Sequence, residues 1–158
     1  MVDSQPHPYS YYFASANRQT DYPEFSGTES CDVCVIGGGV TGLSSALHLS
    51  ERGYRVILLE GNQIGWGASG RNGGQSIFGY SCEMSKIRSL VGVDDAKKLW
   101  DLSLESLELT RQLIHDHQIQ CDWTDGQMHA AIKPRQHREL ELWRAELSAD
   151  YRYDHCLL

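Results

Sequence analysis

The run Gly37-Gly38-Gly39-Val40-Thr41-Gly42 satisfies G-x-G-x-x-G through Gly37, Gly39 and Gly42. Such spacing serves phosphate binding, but glycines are common in turns and a lone match carries little. The context is what gives it weight. An apolar run, Val33 to Ile36, precedes it, a helical pattern follows, and Glu60 closes a second apolar run eighteen residues beyond Gly42. Each glycine then plays a separate part. Gly37 allows a tight turn, Gly39 lets the backbone approach a pyrophosphate, and Gly42 permits close helix–strand contact. The helix opening near Val40 offers unpaired N–H groups and its positive dipole end to phosphates. Glu60 would accept hydrogen bonds from adenosine ribose hydroxyls and disfavour a 2′-phosphate. Glu60→Gln is accordingly expected to weaken dinucleotide binding more than folding.

This unit alone does not separate NAD from FAD, because both use it. The discriminating segment is Gly65-Trp66-Gly67-Ala68-Ser69-Gly70-Arg71-Asn72-Gly73-Gly74-Gln75, which should cross the crevice at the carboxyl ends of the strands. Its glycines let backbone amides converge on phosphate oxygens. Ser69 and Asn72 add neutral donors, and Arg71 adds a planar cation suited to phosphate or carboxylate. A flexible linker would not need Trp66, Arg71 and Asn72.

The elements that must position these residues read as strand, turn, helix, strand. Val33–Ile36 and Val56–Leu59 are short continuous apolar runs, expected as strands of a parallel sheet buried on both faces. Val40, Leu43, Ala46 and Leu47 recur at helical spacing, and Arg52-Gly53 supplies a helix stop. Further on, Asp94 or Asp95 is expected to cap a helix reaching about Gln118, with Leu99, Trp100, Leu107 and Ile114 as its apolar stripe. Asp122–Ile132 reads as strand material broken by a turn at Thr124-Asp125-Gly126. Pro134 opens a second helix to about Ala149. Residues 1–30, polar and tyrosine-rich, form an N-terminal arm that either lies on a larger body through its aromatics or is a disordered tail.

From Cys31 to Gln75, CDVCVIGGGVTGLSSALHLSERGYRVILLEGNQIGWGASGRNGGQ, the chain resembles the N-terminal part of the FAD-dependent D-amino-acid oxidase, glycine oxidase and sarcosine oxidase family, and within it the gamma-glutamylputrescine oxidase subgroup. Ser10–Asn17, Gln120–Trp123 and Gly126 are similar to that subgroup as well. The resemblance implies an α/β fold, a Rossmann-like FAD/NAD(P)-binding fold with a parallel sheet and a βαβ start. It would be incomplete, with residues 31–158 forming a truncated FAD-binding domain and the beginning of a substrate domain. It implies FAD as cofactor, with Gly37, Gly39 and Thr41 along the pyrophosphate, Gly42 supporting the turn and Glu60 at the ribose. Trp66, Gly67, Ala68, Ser69, Arg71 and Asn72 would follow the phosphate-to-ribityl side, and Gly73, Gly74 and Gln75 would lie nearest the flavin ring. The implied reaction oxidises the C–N bond of an amine or amino acid, with hydride passing to flavin and oxygen reduced to hydrogen peroxide. Family members are more than twice as long, so the chain reads as an N-terminal fragment whose partners would be a small-molecule amine and a missing C-terminal part. The alternative is a catalytically incompetent dinucleotide-binding fragment. An NAD-dependent dehydrogenase is disfavoured by the 65–75 segment.

Composition excludes other classes. The 158 residues carry 14 Lys+Arg and 21 Asp+Glu, a formal charge of −7, without the basic cluster that nucleic acid or an anionic membrane would require. No apolar run approaches the ~20 residues needed to span a bilayer, and no secretory signal is evident. The expected compartment is the cytoplasm. Cys31, Cys34, Cys82, Cys121 and Cys156 are an odd, scattered set, and Cys31 and Cys34 would point to opposite faces of a strand, so they read as structural. His115-Asp116-His117 falls at a helix end, where residues two apart do not share a face, and no metal site is expected. His48 reads as a packing or surface residue, and Trp100 and Trp143 as core residues. Lys133, Arg135, His137 and Arg138 read as a solvated face.

Overall fold

A computed structural model describes residues 10–17 and 22–156. The chain divides into two compact units, one ending at Gln75 and the other beginning at Ser76. Of the N-terminal arm, the described part holds a short helix, α1 (Tyr11–Ala14), whose N-cap Ser10 accepts a hydrogen bond from the Phe13 N–H. Tyr11, Tyr12, Tyr22 and Phe25 are exposed and Phe13 is half-buried; Tyr9, also part of the aromatic expectation, falls outside the described residues.

The first unit is the βαβ element that the apolar runs predicted. Strands β1 (Val33–Ile36) and β2 (Val56–Leu59) pair in parallel, Val33 opposite Val56 through Ile36 opposite Leu59. Helix α2 (Val40–Glu51) connects them and packs on both. It stops where expected: Arg52 is the C-cap and Gly53 follows at φ +88°, the left-handed position that glycine takes without strain. The strands are not buried on both faces. Val33 and Val35 are half-buried, while Cys34 and Ile36 are exposed, Ile36 at 86 %. Helix α2 covers one face, and among the described residues no further strand joins the sheet. The apolar run predicted a doubly covered strand; it could not disclose how many layers this length of chain supplies.

In the second unit, α3 (Met84–Val91) and α4 (Val93–Asp116) pack together, and α5 (Pro134–Tyr151) completes the helices. Helix α3 escaped the sequence reading although Met84, Ile87 and Val91 carry helical spacing. Its stop, Gly92 at φ +85°, is also the N-cap of α4. Asp94 and Asp95 are therefore first-turn residues favoured by the helix dipole, not caps. Asp122–Ile132 forms no strand among the described residues: extended propensity becomes a strand only where a ladder partner bonds it, and no described segment pairs with this one. Asp125 instead accepts from the Trp123 indole N–H and from Arg111, and these hold its carboxyl below the usual carboxylate range. Helix α5 begins at Pro134 as expected and runs two residues past Ala149.

Trp100, Leu147 and Tyr151 form the core of this unit, with Phe78, Met84, Leu104, Trp143, Tyr153 and Cys156 packed around them. Trp100 is 2 % exposed and lies 4.8 Å, ring to ring, from Tyr151. Both tryptophans placed in the core by their spacing are thus packing residues. Arg88 ties α3 to α5 through Asp150, the Tyr151 hydroxyl and, at 3.6 Å, Glu146. Leu147→Ala should cost about 2–5 kcal/mol, whereas Leu109→Ala, at a 48 %-exposed position of α4, should stay within about 0.5 kcal/mol. Denaturant titration followed by tryptophan fluorescence separates the two.

Candidate functional site

The site lies wholly in the first unit, where the chain turns from β1 into α2. Gly37 donates its N–H to the Leu59 carbonyl at 2.7 Å and adopts φ +105°, continuing the strand pairing for one residue before the reversal. A Cβ on Gly42 would lie 1.9 Å from the Gly37 carbonyl oxygen, so only glycine lets α2 start this close to the strand. This matches the part that the motif gives to Gly42. Gly39 is the N-cap, without a side chain to cap the helix. Among the described residues the N–H groups of Thr41 and Gly42 donate to no partner. These are the donors that an anion at a helix N-terminus engages.

Glu60 sits at the end of β2 as the sequence required, and it also does something the sequence did not disclose. One carboxylate oxygen accepts the Gly38 N–H at 2.6 Å and the other accepts the Asn62 N–H at 3.0 Å. The side chain is a strut between the end of β2 and the glycine turn. A carboxylate has about four acceptor positions, so two remain for ribose hydroxyls. Gly38, absent from the sequence-derived site, is buried here, and a Cβ on it would meet Ile64 Cδ1 at 2.5 Å. The only sequence signal was a third glycine at a motif position that tolerates any residue.

The second glycine segment folds back onto the first. Gly65 donates to the Gly38 carbonyl at 2.9 Å, and the Ser69 hydroxyl accepts the Val40 N–H, also at 2.9 Å. Ala68–Gly70 form a 3₁₀ turn in which a Cβ on Gly70 would approach the Gly65 carbonyl oxygen at 2.3 Å. Asn72 shapes this loop internally: its side-chain amide donates to the carbonyls of Ser69 (2.9 Å) and Ala68 (3.3 Å), and its Oδ1 accepts the Gly74 N–H at 2.8 Å. Arg71 lies over the Trp66 ring, 5.0 Å from its centre, with Nε donating to the Gly67 carbonyl. Arg71, Asn72, Gly73, Gly74 and Gln75 are all exposed. The structure therefore brings Gly37, Gly39, Thr41, Gly42, Glu60 and Ser69 together at the α2 N-terminus. Trp66, Gly67 and Ala68 follow on the adjoining loop.

The other sequence candidates do not join the site. His115 pairs with Asp116 at 3.0 Å on an exposed helix end, His48 pairs with Glu51, and Arg135 and His137 pair along α5 with Glu139 and Glu141. Among the described residues no group of three or more His, Cys, Asp or Glu could hold a metal ion.

A glycine turn, a helix N-terminus with unengaged donors and an acidic residue ending the next strand define a dinucleotide-binding βαβ unit. Residues 32–158 match the family described as FAD dependent oxidoreductase, DAO; the chain belongs to this family. It is 42% identical over 154 residues to the probable oxidoreductase OrdL of Haemophilus influenzae, covering 98% of this chain and 36% of that protein. It is 45% identical over 135 residues to the gamma-glutamylputrescine oxidoreductase of Escherichia coli, covering 85% of this chain and 32% of that one. A more distant likeness, 30% over 147 residues, links it to the probable oxidoreductase OrdL of Rhizobium meliloti, covering 93% of this chain and 34% of the relative. The chain thus spans about a third of the length of these curated relatives. No solved structure matches the chain.

Two substitutions test this geometry. In a helix, Gly→Ala ordinarily gains about 1 kcal/mol; Gly42→Ala should reverse that sign, lowering the unfolding midpoint, because its Cβ needs the space of the Gly37 carbonyl. Glu60→Gln keeps one acceptor but turns an amide against a backbone N–H, and should cost about 1–2 kcal/mol of stability. Thermal unfolding by circular dichroism reads both.

Proposed function

We propose that this chain is the FAD-binding N-terminal part of an amine oxidoreductase, the whole enzyme oxidising a C–N bond in an amine or amino acid of the gamma-glutamylputrescine kind. The convergence of both glycine segments and Glu60 on the N-terminus of α2 carries the reading. The residues fit the cofactor: glycines leave the cradle open to a diphosphate, the Thr41 and Gly42 N–H groups stand unengaged, and Glu60 retains acceptor capacity. When bound, FAD would supply the two-electron acceptor for oxidation of the C–N bond, and molecular oxygen would reoxidise it with release of hydrogen peroxide.

The chain's own residues hold and orient. Gly37, Gly39 and Thr41 line the pyrophosphate, with the α2 dipole favouring its charge. Glu60 holds the ribose while fixing the glycine turn. Trp66, Gly67, Ala68, Ser69, Arg71 and Asn72 would hold the ribityl side of the cofactor, and Gly73, Gly74 and Gln75 would lie nearest its ring. The remaining strands and the substrate pocket would come from a C-terminal part associating with this one, whose single open parallel sheet supports that expectation. Among the described residues no helix is long and apolar enough to cross a membrane, and the five cysteines are free thiols.

A second reading, a dinucleotide-binding fragment without turnover, is favoured by the one-third coverage of the relatives. Absorbance spectra before and after adding FAD test the first step: flavin bands retained through desalting are expected, and folded protein without them counts against the site. Amine-dependent bleaching of retained flavin then separates the enzyme from the inert fragment.

A further inference from the structure

Helix α2 has no cap of its own, since its N-cap is Gly39. Its first N–H, that of Val40, instead donates to the Ser69 hydroxyl, 29 residues further along the chain, at 2.9 Å. The approach depends on Gly39: a Cβ there would lie 3.0 Å from Ser69 Oγ and 3.9 Å from its Cβ. A backbone bond from Gly65 to the Gly38 carbonyl lies beside it. Both bonds cross between the glycine turn and the 65–74 segment, and the Ser69 bond is a side-chain bond that substitution can remove alone. The bonds made by Arg71 and Asn72 are internal to the loop and do not reach the turn.

We propose that Ser69 is a positioning residue: by capping α2 from the second segment, its hydroxyl holds that segment in register with the glycine turn before any nucleotide arrives. The inference rests on the dinucleotide reading above for its ligand, but the crossbar is a property of the free chain. A loop released from α2 leaves the turn and Glu60 in place, so the adenosine diphosphate half keeps its contacts. The flavin half, which the second segment must guide, loses them.

The test compares the wild-type chain with Ser69→Ala and Ser69→Thr in two readouts. Amide hydrogen exchange at Val40, followed by NMR without ligand, should accelerate in Ser69→Ala and recover in Ser69→Thr. FAD affinity should fall about tenfold in Ser69→Ala, the worth of one lost hydrogen bond, with ADP affinity within about twofold, and Ser69→Thr should restore FAD binding. Unchanged Val40 exchange in Ser69→Ala overturns the crossbar. Equal loss of ADP and FAD also overturns the proposal, since Ser69 would then be a direct diphosphate contact. A wild-type chain that binds neither ligand overturns the dinucleotide reading and the affinity claim with it, and the Val40 exchange result identifies that case.

Discussion

The approach of the Gly42 backbone to the Gly37 carbonyl is the contact on which the first unit depends. With 1.9 Å between that oxygen and any Cβ at 42, only glycine there lets α2 begin this close to the end of β1. Once the helix starts there, its length and the stop at Arg52-Gly53 bring the chain back beside β1 in parallel, and Glu60 arrives at the same end as the glycine turn. A bulkier residue at 42 would separate helix from strand and scatter the donors, the acidic strut and the returning loop.

Glu60 shows how a residue of this kind serves structure and binding together. Its two bonds to the Gly38 and Asn62 N–H groups satisfy amides of a tight turn that have few other partners. Because a carboxylate has more acceptor positions than those two bonds use, the strut need not break for a ribose to bind. A change at this position therefore reports on both stability and affinity. Asn72 makes a similar point. As a residue type it suggests a donor to phosphate, but its amide is committed to the carbonyls that close its own loop.

The second unit is organised on different physics. Its elements meet through an aromatic and aliphatic core, Trp100, Leu147 and Tyr151, with the Arg88 cluster joining α3 to α5 at its edge. The Tyr151 hydroxyl and the Asp150 carboxylate hold the Arg88 guanidinium above its ordinary range. At partly exposed positions such a cluster orients helices more than it stabilises them. The core supplies the stability, and Trp100 and Trp143 were legible as its members because helical periodicity reports burial directly.

What the sequence determined was local. Apolar runs, helical spacing and the glycine and acidic positions specified the βαβ unit, its boundaries to within a residue or two, and the positions of Gly37, Gly39, Gly42 and Glu60 around the start of α2. Each of these follows from chain stereochemistry acting over a few residues, as with the Gly53 stop. The tertiary structure decided which groups are engaged with one another: Ser69 with Val40 across 29 residues, Glu60 with Gly38 across 22. It also left Asp122–Ile132 without a strand partner and Ile36 exposed. Periodicity states which face of an element is apolar, whereas pairing and covering depend on what the rest of the chain brings alongside, and that is settled only when distant segments meet.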